Sequence, residues 1–379
     1  MKDLEMRNFD RRGFLKLAGM TAAAMGLAAC APAAAPTPTA TKPPAASTPA
    51  AKAPAATAAP SDAEAMAGLY EAAKKEGQVM AYAVGTAEEW QEFTAAFEKK
   101  YPGIKLNGFT GSSEAIRDKV LTEARAGRPV ADVIARTNFE DVETYIQQGV
   151  LEKYVSPELK NFDQKYYDPQ GLWAIHSYYV DVLEYNTQAI PAAQAPRSYQ
   201  DLLKPDFKGK LGLEASAILW FTSMLRIMGK DKGLDYMRKL AEQKPRLVSG
   251  HTTLHKLVVS GEIPVLVYMY HFRPLVDKGK GAPIEWLAPA EATPTGALFT
   301  GVIKNAPRPN AARLVQSFWL SEDAGKILVK HTLLPARRGV ELGELAPVAK
   351  VNALIINDPA IGKETAENEK TFRDIFGKG

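Results

Sequence analysis

The chain has one cysteine, Cys30, among its 379 residues, and it lacks the motifs of common hydrolases. A single cysteine excludes an intrachain disulfide. Neither G-x-S-x-G nor H-E-x-x-H occurs, so a serine hydrolase elbow and a zinc-peptidase helix are both missing. These absences argue against a secreted enzyme.

Strong charge of one sign is also missing. The chain has 47 basic and 43 acidic residues. Residues 1–29 hold five basic and three acidic side chains, which leaves 42 against 40 in the remainder. Because no basic stripe interleaved with aromatics is present, we expect no binding to nucleic acid.

The N-terminus predicts export and anchoring. Basic residues precede a 16-residue apolar stretch, Phe14 to Ala29, which is too short to span a bilayer and is typical of a signal peptide over residues 1–29. "DRRGFLKLAG" resembles a twin-arginine export signal, and "LAAC" resembles a lipobox. On that resemblance Cys30 becomes a lipidated N-terminus; otherwise it is a free thiol. We therefore expect an extracytoplasmic protein held to the membrane by a lipid.

Residues 30–60 predict a disordered tether. After Cys30 this segment contains only Ala, Pro, Thr, Ser and Lys. Such a composition buries too little apolar surface to offset the entropy of ordering, and proline keeps the segment extended.

The rest of the chain alternates strand and helix patterns. We predict strands over residues 77–85, 104–111 and 131–136, with helices starting at Thr86 and Ser112. This rhythm indicates a parallel α/β sheet, in which ligands bind beyond the carboxyl ends of the strands. Thr86, the loop 110–113 and the turn 136–138 therefore become candidate ligand contacts.

An ordered set of stretches resembles the substrate-binding proteins of bacterial ABC importers, in the branch that includes the ferric-iron binders. The set includes "FEKKYPGIKL", "YIQQGVLEKY", "LWAIHSYYVDVLEYNT", "PRSYQDLLKPDFKGKLGL", "VVSGEIPVLV" and "NAPRPNAARLVQSFWLSEDAGKIL". The resemblance implies a two-lobed, type II periplasmic-binding-protein-like α/β fold that closes on one solute. Lobe 1 would hold residues 61–172 and about 275–305, and lobe 2 residues 173–274 and about 306–379.

The resemblance also implies the partners. They are a small-molecule or metal ligand and an ABC permease with its ATPase, bound by a monomer that needs no cofactor. Fe(III), alone or as an anion complex, is the favoured single ligand. A polyamine, an organic acid or an aromatic compound remains the alternative, as does a sensory lipoprotein of the same fold.

Hydroxyl and amide side chains follow several predicted strands. Ser112 and Ser113 open a helix, where they either bind an anion or cap the helix. Thr137 and Asn138 follow the strand that ends at Arg136, and form either a ligand contact or a turn. "EASAILW" resembles a cleft-facing family segment, which suggests Ser216 and Ala217 as contacts and Trp220 as a contact or a core residue.

Two stretches supply histidines. In "HTTLH", we expect His251 and Thr252 at a helix start to reach the cleft and His255 to face solvent. In "VLVYMYHF", Tyr268 precedes Tyr270 and His271, and the last two align with the adjacent tyrosines of ferric-iron relatives. The alignment implies Tyr270 and His271 as metal ligands, with histidine replacing a phenolate.

A second departure concerns the strand from Trp173 to Asn186. Where relatives carry two arginines that hold an anion, this chain has Tyr179 and Asp181. Because side chains alternate along a strand, only one of Tyr178 and Tyr179 can face the cleft, and we expect Tyr179. Tyr179 and Asp181 then supply oxygen ligands to iron, or they hold a cationic or aromatic molecule through cation–π contacts.

Overall fold

The computed structural model describes residues 61–355 and 358–377. The predicted signal peptide, Cys30 and the tether therefore lie outside the described residues. Within these two ranges, no helix is both long and apolar enough to cross a bilayer. The helices are α1 Asp62–Glu76, α2 Ala87–Lys100, α3 Ser113–Arg125, α4 Val142–Gln147, α5 Ile218–Met228, α6 Lys230–Glu242, α7 His251–Val259, α8 Phe272–Gly279, α9 Pro309–Trp319, α10 Glu322–Lys330 and α11 Ile361–Phe376.

The strands form one mixed sheet. They are β1 Gln78–Ala83, β2 Lys105–Thr110, β3 Val133–Asn138, β4 Leu151–Glu152, β5 Ala174–Asn186, β6 Leu211–Glu214, β7 Arg246–Val248, β8 Val265–Tyr270, β9 Ile284–Leu287, β10 Thr293–Ile303, β11 Leu334–Pro335 and β12 Ala353–Leu354. The main order is β2-β1-β3-β10-β5-β8-β6-β7. Parallel pairing of β1 with β2 and β3 confirms the predicted parallel α/β start, and β10 then joins β3 in the antiparallel direction.

The long strand β5 has different partners along its length. Residues 174–180 pair with β10, whereas residues 181–186 pair with β8 and β9. The exchange of partners falls between Tyr179, which faces Gly296, and Asp181, which faces Tyr270. Side chains at this exchange therefore lie next to β10 on one side of β5 and next to β8 on the other.

Local sequence explains the helix that follows β1. Thr86 accepts a hydrogen bond from the Glu89 backbone at 3.2 Å, and the Glu89 carboxylate accepts one from the Thr86 N–H at 2.7 Å. This capping box satisfies two N–H groups that a helix start leaves without partners. Phe93 and Phe97 fall one turn apart and are buried against the sheet, as their spacing predicts.

The packing of the C-terminal segments differs from the expected lobe boundaries. We expected residues from about 306 to 379 in lobe 2 with residues 173–274, whereas helix α9 packs on α1, β1 and β3, and α10 packs on α2. The buried face of α9 explains this position, since Phe318 lies edge-on against Phe97 with ring centroids 5.5 Å apart. Helix α11 does pack on α5, where Phe372 meets Phe221. Residues from about 275 onward were expected in lobe 1, whereas helix α8, which includes the first of them, packs on β8 and β9.

Candidate functional site

A cleft opens beside the point at which β5 exchanges partners. Its cavity has a volume of about 250 Å³. Strand ends and helix starts supply the walls: Glu114, Asn138, Glu140, Tyr179, Asp181, Glu214, Ser216, Ala217, Leu219, Trp220, Ser223, His251, Tyr268, Tyr270, Pro294, Thr295 and Gly296. Four of these residues are carboxylic acids, and none is lysine or arginine.

Glycine at position 296 makes room for a tyrosine in the cleft wall. A Cβ atom at Gly296 would lie 1.9 Å from Cζ of Tyr179 and 2.2 Å from its hydroxyl. Real Cβ atoms do not approach other atoms so closely. The Tyr179 ring can therefore lie over position 296 only because its neighbour there on β10 has no side chain. Tyr179 and Asp181 are two apart on β5 and therefore lie on the same face.

Aromatic rings form a connected group in the cleft. Tyr268 stacks on Trp220, with centroids 5.1 Å apart and planes 1° from parallel. His251 stacks on Tyr270 at 4.2 Å, and Tyr179 contacts Tyr270 at 4.5 Å. A hydrogen bond of 3.1 Å joins His251 Nε2 to the Tyr268 hydroxyl and links the two stacked pairs. Such mutual packing fixes the rings before any ligand arrives.

The carboxylate of Glu214 lies where two helices begin. Its Oε2 accepts hydrogen bonds from the Ser216 N–H at 2.6 Å and the Ser216 hydroxyl at 2.7 Å. Its Oε1 accepts a third from the N–H of Gly250, the residue that precedes α7, at 3.1 Å. Ser216 directly precedes the first turn of α5. Glu214 thus places a negative charge against the positive ends of both helix dipoles.

Burial and neighbouring negative charges raise the pKa values of two acids in the cleft. Burial raises the pKa of Asp181 well above its usual value. Among the described residues, none donates a hydrogen bond to Asp181 Oδ1. Burial and the nearby charges of Asp141 and Glu114 raise the pKa of Glu140 to about 7. The cleft therefore holds carboxyl groups that lack a positive partner.

The other titratable cleft groups are neutral near pH 7. Burial, followed by the proximity of the acidic groups of Tyr270 and Asp181, raises the pKa of Tyr179. Burial likewise raises the pKa of Tyr270, again with a contribution from Asp181. Burial lowers the pKa of His251 to about 4, so its imidazole adds no positive charge. Among the described residues that line the cleft, none therefore supplies a positive charge near pH 7.

The structure brings nine of the predicted contacts together. They are Asn138, Tyr179, Asp181, Ser216, Ala217, Trp220, His251, Tyr268 and Tyr270. Tyr179 faces this cleft, whereas Tyr178 stacks on Tyr166 with ring centroids 6.0 Å apart.

Besides His271, which is described below, five predicted contacts lie outside the cleft wall. Thr86 and Ser112 cap helices α2 and α3. The Ser113 hydroxyl accepts a hydrogen bond from the Asn138 N–H at 3.2 Å. Thr137 is buried within β3, and Thr252 is exposed on α7. Helix capping therefore explains the loops that we considered as anion sites.

His271 does not face the cleft, contrary to the alignment with metal-binding tyrosines. Its Nδ1 accepts a hydrogen bond from the Val180 N–H at 3.0 Å, and its Nε2 donates one to the Thr332 carbonyl at 2.9 Å. The ring is fully buried, and burial lowers its pKa to about 4. The backbone gives the reason: β8 ends at Tyr270, and His271 already has helical dihedral angles, so its side chain lies against Val180 and Thr332 instead of the cleft. Both ring nitrogens are occupied, so His271 is not a ligand here.

His255 is buried, although we expected it to face solvent. Its ring lies between Glu184 on β5, at 2.8 Å, and Asp277 on α8, at 2.9 Å. Burial alone would lower the pKa of His255, but the hydrogen bonds to the two carboxylates raise it above its usual value. The histidine therefore joins α7 to β5 and α8 through ion pairs.

Several lining residues escaped prediction. Glu214 ends the parallel strand β6, so the carboxyl-end rule could have found it. Glu140 lies two residues beyond Asn138, and Glu114 two beyond Ser112. Leu219, Ser223, Pro294, Thr295 and Gly296 carried no chemical signal, and the last three belong to the antiparallel strand β10.

The cleft acids do not converge on one point. Across residues 61–355 and 358–377, no group of three or more His, Cys, Asp or Glu side chains is placed to hold a metal ion. Tyrosine oxygens add to the possible donors, because the rings of Tyr179 and Tyr270 lie beside Asp181. The arrangement can hold a positively charged molecule through carboxylates and aromatic faces.

Several solved structures share this fold. Iron-bound HitA from Pseudomonas aeruginosa matches with a TM-score of 0.68 and 22% identity, covering 79% of this chain and 99% of that one. The periplasmic binding protein AfuA from Actinobacillus pleuropneumoniae, with exogenous fructose-6-phosphate bound, matches with a TM-score of 0.67 and 21% identity, covering 80% and 100%. These likenesses confirm the two-lobed, type II periplasmic-binding-protein-like fold.

Sequence comparison gives the same class. The Fe(3+)-binding periplasmic protein of Serratia marcescens is 25% identical over 186 residues, which is 48% of this chain and 53% of that protein. The family model described as a bacterial extracellular solute-binding protein matches residues 128–358, which include both histidine stretches and most of the cleft. The chain therefore belongs to the family of bacterial extracellular solute-binding proteins.

Proposed function

We propose that this chain is the solute-capturing component of an ABC importer and that it hands one small solute to a membrane permease with its ATPase. The observation that carries the proposal is the position of the cleft. Its walls come from β3 and β10 on one side of the β5 exchange and from α5, α7 and β8 on the other. A solute in this position contacts both halves and stabilises the arrangement that brings them together.

The proposal includes export and anchoring. Arg11 and Arg12 direct export through the twin-arginine signal, and Cys30 becomes the lipid-bearing N-terminus of a monomer. Growth with an alkyne-tagged fatty acid tests the anchor. The full chain should become labelled and sediment with membranes, and Cys30→Ala should do neither. A labelled Cys30→Ala variant would contradict the anchor and leave solute capture untouched.

The captured solute is positively charged. Glu114, Glu140, Asp181 and Glu214 line the cleft without a lysine or arginine among the described lining residues. Burying an anion beside these carboxylates would cost several kcal/mol, because like charges in a poorly hydrated site repel strongly.

Fe(III) is one solute of this charge. Phenolic and carboxylate oxygens are hard donors that suit it, and Tyr179, Tyr270 and Asp181 lie together. Two of the similar proteins bind iron, which supports the same candidate. The iron would be cargo, and it would lack the contribution of His271 that the alignment implies.

Titration with Fe(III)-citrate tests the iron candidate. Purified full chain in detergent should develop a visible tyrosinate-to-iron absorption band, and Tyr270→Phe should lose most of it. Fructose 6-phosphate, an anion, should raise the melting temperature of neither protein. Binding of the sugar phosphate that is lost in Tyr270→Phe would refute a cationic solute.

A further inference from the structure

We infer that the cleft takes an organic cation, an amine or quaternary ammonium compound whose charge lies among the carboxylates and whose carbon skeleton lies on the tyrosine and tryptophan rings. The inference rests on the proposed function, since it names the chemical class of solute for the same cleft.

The first observation is a buried carboxyl group that has no partner in the cleft. Asp181 is 5% exposed, and no described residue donates a hydrogen bond to its Oδ1. Glu140, on the opposite wall, is half-buried and lines the same cavity. An ionised carboxylate buried without a partner is costly, and a cation that displaces the proton from such a group supplies the missing partner.

The second observation is that the two helix starts facing the cleft are already occupied by an anion. An N-terminus attracts phosphate and carboxylate ligands through its free N–H groups and its dipole. Here Glu214 accepts from the Ser216 N–H before α5 and from the Gly250 N–H before α7. The built-in carboxylate excludes an anionic ligand from these positions and presents its own charge to the cavity.

The third observation is the aromatic surface. Trp220, Tyr268, Tyr270 and Tyr179 all line the cavity, and their contacts with one another and with His251 hold them in place. Ring faces attract cations, and the attraction grows when the cation loses water. An ammonium group with attached methylenes or methyls satisfies the carboxylates and the rings together.

The size of the cavity separates an organic cation from a bare metal ion. A volume of about 250 Å³ holds a molecule of several heavy atoms and lies near the lower end of typical ligand cavities, which start at roughly 300 Å³. Among the described residues, no three acids, histidines or cysteines are placed to hold a metal ion, so a metal ion in this cleft would depend on tyrosine oxygens. Aromatic faces also offer little to an ion that retains its hydration shell.

The test uses a deproteinised extract of the source cells, separated by ion exchange into cationic, neutral and anionic fractions. A portion of the cationic fraction is passed over a chelating resin that removes metals. Purified full chain in detergent is melted with each fraction. We expect the cationic fraction to raise the melting temperature before and after the chelating resin, and mass spectrometry of the bound compound to show a nitrogen base.

Two variants tie the effect to the cleft. Asp181→Asn and Tyr270→Leu should each weaken binding by roughly 10- to 100-fold, the loss expected for one charge-assisted contact of about 1.5–3 kcal/mol. Glu143→Gln on the outer helix α4 should bind as the wild type does. Melting without extract shows whether each variant is folded. If Asp181→Asn does not fold, Glu140→Gln replaces it.

The outcomes separate the inference from the proposed function. Stabilisation that disappears after the chelating resin would overturn the organic cation and leave solute capture standing. Stabilisation by the neutral or anionic fraction, lost in both variants, would overturn it as well. Stabilisation by no fraction would overturn both the inference and the proposed function.

Discussion

Replacing Glu140 with glutamine should make the empty protein more stable at neutral and alkaline pH. Burial and the charges of Asp141 and Glu114 raise the pKa of Glu140 from 4.5 to about 7. The folded protein therefore binds a proton more tightly than the unfolded chain does. Stability is present below pH 4.5 and is lost as pH rises through about 7. Glutamine cannot ionise, so the variant avoids this loss.

The size of the effect follows from the shift. A pKa difference of about 2.5 corresponds to about 3.4 kcal/mol at pH 8, and partial exposure to solvent reduces this to about 2–3 kcal/mol. An unfolding entropy of about 2 cal/mol/K per residue over roughly 315 ordered residues gives about 0.7 kcal/mol/K. Glu140→Gln should therefore melt about 3–5 °C higher than the wild type at pH 8.

Calorimetric melting between pH 4.5 and pH 8 measures this difference. The gap between the variant and the wild type should close at the acid end, where both carry an uncharged group at position 140. Glu143→Gln, the same substitution on helix α4, serves as the control. A Glu140→Gln protein that melts with or below the wild type at pH 8 would refute the claim that burial and like charges outweigh the attraction between this carboxylate and Arg117.

Three further substitutions test other contacts. Gly296→Ala should push the Tyr179 ring out of the cleft wall and cost about 1–3 kcal/mol of unfolding free energy in urea; unchanged stability would contradict the close approach. His255→Leu should leave Glu184 buried without its partner and cost about 3–5 kcal/mol at pH 6. Because the pKa of His255 is raised, the wild type should lose this advantage as pH rises from 6.5 through the folded value, and the gap between their melting temperatures should shrink. His271→Phe should lower the free energy of unfolding in urea by about 1–3 kcal/mol for each of the two backbone groups that it leaves unpaired. The iron-dependent absorbance should be retained in this variant, because His271 lies outside the cleft.

The alternation of side chains along a strand explains which cleft residues could be predicted from the sequence. Tyr268 and Tyr270 lie two apart on β8, and Tyr179 and Asp181 two apart on β5, so each pair shares a face. The family alignment suggested position 271 as a ligand, but β8 ends at Tyr270, and the His271 side chain forms hydrogen bonds with the backbone of Val180 and Thr332 outside the cleft.

Tertiary contacts explain what remained hidden. His255 looked exposed because its neighbours in sequence are polar or mixed, yet Glu184 and Asp277 reach it from segments distant along the chain. Gly296 belongs to an antiparallel strand, to which the rule about carboxyl ends does not apply. Only the register of β10 against β5 shows that a glycine there decides the position of the Tyr179 ring.

The buried imidazole of His271 has a consequence for a protein whose surroundings the cell does not buffer. Its pKa of about 4 keeps Nδ1 an acceptor in mild acid, so the Val180 N–H, next to the residue at which β5 changes partners, keeps its bond. The unfolded chain takes up a proton there near pH 6.5, so acidification weakens the whole fold by up to about 3 kcal/mol first. Moderate acid thus shortens the lifetime of the molecule while leaving the seam between its halves intact. Only below about pH 4 does protonation turn the acceptor into a donor that repels the Val180 N–H and loosens the seam itself.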